Sequence, residues 1–555
     1  MFFWITRASR QRRDQHSTSN IQQRRSHPKI GFAPRARARF APRMATEADE
    51  AKAVTPLQAV ELAIQAQRGG QLDVAEEIYR RVLAVWPECP DALHFSGLLA
   101  FQRGKFEEGM ERIARSIEFA PEHPDFWNNY GNMLKARDKV PEAAAAYRRA
   151  IALRKDFADA HSNLGTTLLR EGDAAAAEKE FRTALSIRPE HVEAHLNLGA
   201  IFQKREMLDE ACAAYKKVIA TCPNDPKAYG RLGEILWKQG KREEATAAII
   251  QNTRMNPEDP MAFVILAGIF WDQDRSQEAV EAYQSALQID PRHSNANQFL
   301  ARILTILGKA DEASGVWRRW IACDPENPIP RHHLAASEGR DVPARAADDF
   351  VVKVFDGFAD SFDKKLQRLD YRAPQIVAAA LAAEHGEPRA ALDILDAGCG
   401  TGLCAPLLRP FARCLDGVDL SQGMLDKATA RGGYDDLQAA ELTAFLASLH
   451  SEYDSIVSAD TLCYFGDLDA VVQAAATALR AAGTIIFTVE KSADSESSAG
   501  FTLEHTGRYT HTEPYVRAAL SRAGFEVRSL ETVALRQEFF TPVQGFVVVG
   551  KKAGV

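Results

Sequence analysis

Residues 392–402 read LDILDAGCGTG, an apolar strand run that passes directly into a glycine-rich turn, and Leu403 onward reads as a helix. Gly398, Gly400 and Gly402 allow the backbone to approach a ligand closely, and the start of the following helix offers N–H groups with no partner of their own. Leu403 stands where the dinucleotide fingerprint GxGxxG requires its third glycine. Asp396 precedes the loop, at a place where a dinucleotide pyrophosphate would be repelled, so a carboxylate there suits a ligand with a cationic or hydroxyl-rich end.

Downstream, CLDGVD (Cys414 to Asp419) reads as a second strand ending in an acid, followed by a helix over 421–430. A carboxylate at that strand end can accept paired hydrogen bonds from ribose hydroxyls. Strands alternating with helices in this way imply a parallel sheet covered on both faces. With DAGCGTG and GVDLS in place, the segment resembles the class I S-adenosylmethionine-dependent methyltransferases over roughly residues 348–555. The resemblance implies an α/β Rossmann-like domain with a seven-stranded, mostly parallel sheet, and S-adenosyl-L-methionine as cofactor. It implies that Asp396, Gly398, Cys399, Gly400 and Gly402 surround the methionine moiety, that Asp419 holds the ribose, and that Leu420 and Met424 flank the adenine. Glu441, in AAELTAFL, takes the place of an acid near the adenine amine, with a plain glutamate at a helix start as the other reading.

Tyr453 to Ala459 reads as the fourth strand and runs into Asp460, Thr461, Leu462, Cys463 and Tyr464, where the resemblance places contacts to cofactor and acceptor. The segment lacks the NPPY-type and PC motifs of base methylases. Ahead of the sheet, FDGFADSFDKKLQRLDYRAP (Phe355 to Pro374) predicts an amphipathic helix that lids the site, and its paired FD elements resemble a subgroup of bacterial methyltransferases with N-terminal tetratricopeptide repeats. Tyr371 and Arg372 would meet the cofactor carboxylate, or else cap the end of a helix. HTGRYTHTEPY (His505 to Tyr515) places Arg508, Tyr509, His511 and Tyr515 between a fifth strand over 484–489 and a sixth, on the acceptor side, with N-capping by Thr510 or Thr512 as the alternative. His511, Asp460 and Tyr464 are the candidate bases, needed only if the acceptor arrives protonated. No metal site is expected.

Upstream, a period of 34 governs the chain. Pro87, Pro121, Lys155, Pro189, Pro223, Pro257, Pro291 and Pro325 are each 34 apart, and in phase run Gly97, Gly131, Gly165, Gly199, Gly233, Ala267 and Ala301. A second series of small residues runs from Ala75 through Ala143 and Ala211 to Ala313, and four residues after each comes a large one: Tyr79, Ile113, Tyr147, Phe181, Tyr215, Ile249, Tyr283 and Trp317. The pattern specifies two helices per unit that cross closely at the small residues and end at proline. It resembles the tetratricopeptide repeat, in eight copies over 54–326, and the resemblance implies a right-handed superhelical solenoid whose groove docks a protein or peptide. Asn129, Asn163 and Asn197 recur at that period and form either a clamp of amides for an extended peptide or simply a polar groove-facing position. Residues 327–347 read as a linker with a capping half-repeat.

The 555 residues carry a formal charge of −7. Residues 1–43 hold ten Arg and one Lys against one Asp, so the remainder carries −17, which argues against nucleic acid as the principal partner. The basic leader, 1–53, reads as disordered, with three readings open: a targeting segment, a nucleic-acid-binding tail, or untranslated codons ahead of Met44. The eight cysteines are scattered without a CxxC pair, which predicts a reducing compartment, the cytoplasm, and no apolar run approaches the roughly 18 residues of a membrane span. The composite expectation is a methyltransferase with an unidentified acceptor whose repeats recruit a partner. The competing readings are a scaffold with a cofactor-sensing or inactive methyltransferase-like domain, and a metabolite methylase whose repeats serve assembly. A glycosyltransferase is disfavoured, since only about 200 residues follow the linker.

Overall fold

The computed structural model describes residues 55–493, 499–538 and 541–554. The basic leader, residues 1–53, and the first residue of the expected repeat array lie outside the described residues. No described helix is long and apolar enough to cross a membrane.

Within the body that ends at Pro257, six helix pairs run from Pro56–Arg68 and Leu72–Val85 to Pro226–Lys238 and Arg242–Met255. The 34-residue code is visible in the packing. A methyl group added at Gly131 would sit 2.7 Å from the ring of the fully buried Tyr147, and one at Gly165 2.8 Å from Phe181. Glycine is therefore demanded by helix–helix approach and not by backbone dihedrals. Tyr147 donates its hydroxyl hydrogen to Asn132 Oδ1 at 2.8 Å, so the buried phenol keeps a polar partner.

A second body runs from Glu258 to the C-terminus. It begins with the pairs Pro260–Asp272/Ser276–Ile289 and Ser294–Ile306/Ala310–Cys323, followed by a helix, Pro328–Glu338. The expected linker is thus a folded helix over half its length, N-capped by Asn327 and closed by Gly339 at φ 61°. Its remainder is docked: Ala346 N–H donates to Tyr464 O, and the N–H groups of Gly466 and Asp467 both donate to Ala344 O.

The α/β domain contains strands β1 (Leu392–Ala397), β2 (Ala412–Asp419), β3 (Asp436–Ala439), β4 (Tyr453–Ser458), β5 (Leu479–Lys491), β6 (Phe501–Leu503), β7 (Tyr509–His511), β8 (Phe525–Glu538) and β9 (Thr541–Lys552). Seven of them form the sheet 3-2-1-4-5-9-8, with β1 to β5 parallel and β9 antiparallel between β5 and β8. The short β6–β7 hairpin attaches at the end of β5: Glu490 pairs with Gly545 of β9 and with Thr510 of β7. Because a strand residue has only two sides, β7 lies on the β4 side of β5, beyond the point where β4 stops. Adjacent core residues of the parallel strands face opposite layers. Ile394, Val457 and Ile486 pack with Val377 and Leu381 of the helix Ala373–His385, while Leu395, Ile456 and Phe487 pack with Val472 and Leu520. Burial on both faces is what makes these strands read as continuous apolar runs.

The expected lid helix is broken. Asp348–Asp356 is one helix, 359–361 a single 3-10 turn, and Phe362–Arg368 a second helix. Gly357 closes the first, and Asp370 at φ 47° followed by Pro374 in the first turn of the next helix ends the second.

Candidate functional site

β1 is flanked by β2 on one side and β4 on the other, so the chain leaves the sheet in opposite directions around its C-terminal end and opens a crevice there. A cavity of about 1060 Å³, partly open to solvent, occupies this crevice. Its floor is the loop after β1. Gly398, Gly400 and Gly402 all have positive φ, at 81°, 55° and 81°. A side chain at Gly398 would overlap Thr461, whereas one at Gly400 would meet nothing within 4 Å, so the loop is tight against the protein at one glycine and open at the other.

Asp419, at the end of β2, straps this loop to the next element. Gly400 N–H donates to its Oδ2 and Ser421 N–H to its Oδ1, each at 2.9 Å. Leu420, Met424 and Glu441 continue the wall on this side. Glu441 lines the cavity and is also a helix N-cap, accepting from Thr443 N–H at 3.0 Å and Ala444 N–H at 2.7 Å, which is the helix-start reading of this residue. The opposite side is built from Tyr371, Asp460, Tyr464 and Arg508, with Phe355, Phe362 and Leu366 of the lid above. Lid carboxylates fasten this apolar segment down: Asp356 accepts from Ser421 Oγ and Gly423 N, and Asp363 from Thr401 Oγ1 at 2.6 Å and from Arg431.

Asp396 is fully buried behind the loop and outside the cavity wall. Burial, reinforced by nearby Asp419, pushes its carboxyl up to about 7, against the opposing effect of a hydrogen bond from Tyr434. One of its oxygens, Oδ1, is buried with no partner. Gly402, also outside the wall, packs against Tyr434 and Ala428.

Arg372 and His511, also expected at the site, lie outside the cavity wall as Asp396 and Gly402 do. Arg372 is exposed, and its backbone N–H donates to Leu535 O at 2.9 Å because the lid end pairs with β8. His511 belongs to β7 and is fully buried behind the wall, with Nε2 against Gly466 O at 3.1 Å and its ring stacked on Tyr515. Burial lowers its pKa to about 4, the opposite of what a base held close to neutrality requires. Thr510 and Thr512 do not cap the next helix through their side chains; Thr512 is its N-cap residue without a side-chain bond.

Sequence reasoning missed Glu490 and Arg536. The Arg536 side chain, 2% exposed, donates to Glu490 Oε1 at 2.6 Å and to Glu538 Oε1 at 2.8 Å, and its Nη1 lies 3.5 Å from Asp460 Oδ1. Arg508 Nη1 reaches Glu490 Oε1 at 3.0 Å and Asp460 Oδ2 at 3.3 Å. Burial alone would raise Glu490, but the two guanidinium groups hold its carboxyl below the usual range. No local motif surrounds Arg536; only its apolar surroundings in β8 set it apart. Asp460, Cys463 and Glu490 bring ligand-type atoms within 4.8 Å of one another, although guanidinium groups already engage both carboxylates.

The residues present fit S-adenosylmethionine. The open Gly400 backbone and the Asp419 carboxylate suit a ribose and its neighbouring chain, and the loop carries no phosphate-binding third glycine.

Two family models match separate parts of the chain. The family described as Cilia and flagella-associated protein 70 C-terminal domain matches residues 33–321, and that described as Methyltransferase domain matches 364–530. Methyltransferase-like protein 27 of Homo sapiens is 39% identical over 121 residues, 20% of this chain and 49% of the human protein. Malonyl-[acyl-carrier protein] O-methyltransferase of Acetivibrio thermocellus is 34% identical over 104 residues, 18% of this chain and 36% of that one. The chain thus spans about half and about a third of the length of these two relatives. Among solved structures, that of YrrB, titled as a TPR protein with an unusual peptide-binding site, aligns with 34% of this chain and 96% of its own at 24% identity and a TM-score of 0.31.

Proposed function

We propose, for a chain that belongs to the Cilia and flagella-associated protein 70 C-terminal domain family through residues 33–321 and carries a methyltransferase domain over 364–530, that it is an S-adenosylmethionine-dependent methyltransferase whose repeats recruit a protein or peptide. One observation carries the reading: a single cavity gathers Gly398, Gly400, Asp419 and Glu441 on one side and Asp460 and Tyr464 on the other. The cofactor supplies an electrophilic methyl group on a sulfonium, and the chain's task is alignment and exclusion of water. Asp419 receives the ribose hydroxyls while its own orientation is held by two backbone N–H groups. Leu420 and Met424 flank the adenine, and Glu441 sits at its edge. Phe355, Phe362 and Leu366 close the crevice from above and keep water from the reacting atoms. Tyr464, whose hydroxyl burial pushes up to about 12, stays protonated near neutrality and orients an acceptor as a hydrogen-bond donor.

Calorimetric titration of S-adenosylmethionine and S-adenosylhomocysteine into the full chain tests the proposal, with Asp419→Ala as control. Micromolar binding that the control loses, followed by transfer of labelled methyl to an acceptor, is the expected result. A folded chain that binds neither nucleoside removes the methyltransferase reading.

A further inference from the structure

The helix that follows the last repeat touches the wall of the cavity through one turn of chain. His332, on Pro328–Glu338, directs Nε2 at Gly507 O at 2.9 Å, across 175 residues of sequence. The His332 ring is stacked on Phe350 with centroids 4.0 Å apart, and the neighbouring His333 is stacked on Trp317 at 5.0 Å, so the helix face that meets the turn is held by rings on both sides. Gly507, at φ 83°, has no room for a side chain, because a methyl there would lie 2.9 Å from His333 Cε1. The turn is closed by Gly507 N–H to Glu504 O and Glu504 N–H to Arg508 O, and Tyr509 donates its hydroxyl hydrogen to Pro343 O at 2.7 Å. Immediately after Gly507 comes Arg508, the guanidinium on the β4 side of the cavity.

Arg508 and Asp460, an ion pair 3.3 Å apart, both line the cavity. Both carboxylate contacts of Arg508 run through one nitrogen, Nη1, of a group with five donors. Arg536, behind the wall, satisfies Glu490 and approaches the far oxygen of Asp460. A guanidinium and a carboxylate side by side match one kind of ligand end, an α-amino acid, with its carboxylate on the arginine and its ammonium on the aspartate. Arg372, the residue expected to take that carboxylate, is exposed and outside the wall.

We propose that Arg508 and Asp460 form the receptor for the amino-acid end of the cofactor, and that His332, a positioning residue on the helix that follows the last repeat, sets Arg508 through the Gly507 carbonyl. The proposal rests on the methyltransferase reading above. Asp460 is then an ammonium acceptor and not the base of the reaction. The assignment also makes cofactor affinity depend on a helix outside the α/β domain.

The test compares two probes by calorimetry on the full chain: S-adenosylhomocysteine, which carries the amino-acid end, and 5′-methylthioadenosine, which lacks it. Arg508→Met is expected to weaken S-adenosylhomocysteine roughly ten- to a hundredfold, the range for loss of a hydrogen bond to a charged group, and to leave methylthioadenosine within about twofold. His332→Ala is expected to shift the ratio of the two affinities in the same direction, and His332→Gln, which keeps a side-chain N–H donor, to restore it. Equal weakening of both probes by Arg508→Met overturns the receptor. An unchanged ratio in a folded His332→Ala chain overturns the positioning role. A wild-type chain that binds neither probe removes the underlying methyltransferase reading instead, so the two failures are distinguishable.

Discussion

Tyr434 donates its hydroxyl hydrogen to Asp396 Oδ2 at 2.6 Å, and this is the one partner of a carboxyl that has no exposed surface. Because burial raises the folded pKa of Asp396 to about 7, above its unfolded value, the folded chain binds the proton more tightly. This contribution therefore falls as pH rises from about 4 to about 7 and levels off beyond. Asp396→Asn removes the titration. Its stability in chemical denaturation is expected to match wild type below about pH 4 and to exceed it above pH 7, by on the order of a few kcal/mol at most. A difference that is the same at every pH would contradict the assignment.

Gly398→Ala places a methyl against Thr461 at a φ of 81°. Strain and overlap together are expected to cost about 2–4 kcal/mol. Adding Thr461→Ser, which removes the methyl but keeps the hydroxyl, should recover part of the loss in chemical denaturation. Full recovery would mean that backbone strain at this position is negligible.

Gly131→Ala sets two opposing terms against each other. Helix propensity favours alanine by about 1 kcal/mol, whereas contact with the Tyr147 ring at 2.7 Å costs about 1–3 kcal/mol. The net expectation is destabilisation, turned to stabilisation relative to the single Tyr147→Leu variant when both changes are combined. Circular-dichroism melts of the four chains of this cycle decide it.

The three asparagines of the 34-residue period already have side-chain partners. Asn163 donates to Asn128 Oδ1 at 3.0 Å and accepts from Lys135 Nζ at 3.2 Å, Asn129 pairs with His94 at 3.1 Å, and Asn197 with Thr166 at 3.5 Å. Replacing Asn129, Asn163 and Asn197 with alanine is expected to leave S-adenosylhomocysteine affinity within about twofold, since none of the three lines the cavity. Transfer of labelled methyl to macromolecular acceptors should fall. Unchanged transfer would take the groove out of acceptor recruitment and favour the reading in which the repeats serve assembly.

Arg536→Met leaves Glu490 buried with Arg508 as its remaining cation. Removing one partner of such a pair is expected to cost about 3–5 kcal/mol in chemical denaturation, and Glu490→Gln in the same chain should return part of it. A loss below about 1 kcal/mol would show that solvent reaches this network.

The fold was legible where its signals are local. A repeat of 34 residues carries its own packing code, since Gly131 and Tyr147 are 16 residues apart on adjoining helices, and the same pair recurs as Gly165 and Phe181. The loop after β1 and the acid ending β2 are likewise short motifs, and the structure brings Gly398, Gly400 and Asp419 to one cavity. The apolar period over 355–374 predicts one lid helix, whereas Gly357 closes a first helix and Asp370, at positive φ, ends a second.

The remaining features depend on pairs that no spacing records. His511 and Arg508 are three residues apart in one hairpin, yet β7 turns the histidine into the core and leaves the arginine at the cavity. Glu490 and Arg536 meet because β5 and β8 flank β9, and His332 meets Gly507 because the helix after the last repeat docks on the β6–β7 turn. Amino-acid order alone therefore establishes the repeat, the ligand loop and the strand–helix alternation, since each is encoded within a few turns or strands. Tertiary structure decides which charges share the cavity wall, because burial and ion pairing there are set by strand order and docking across distant parts of the chain.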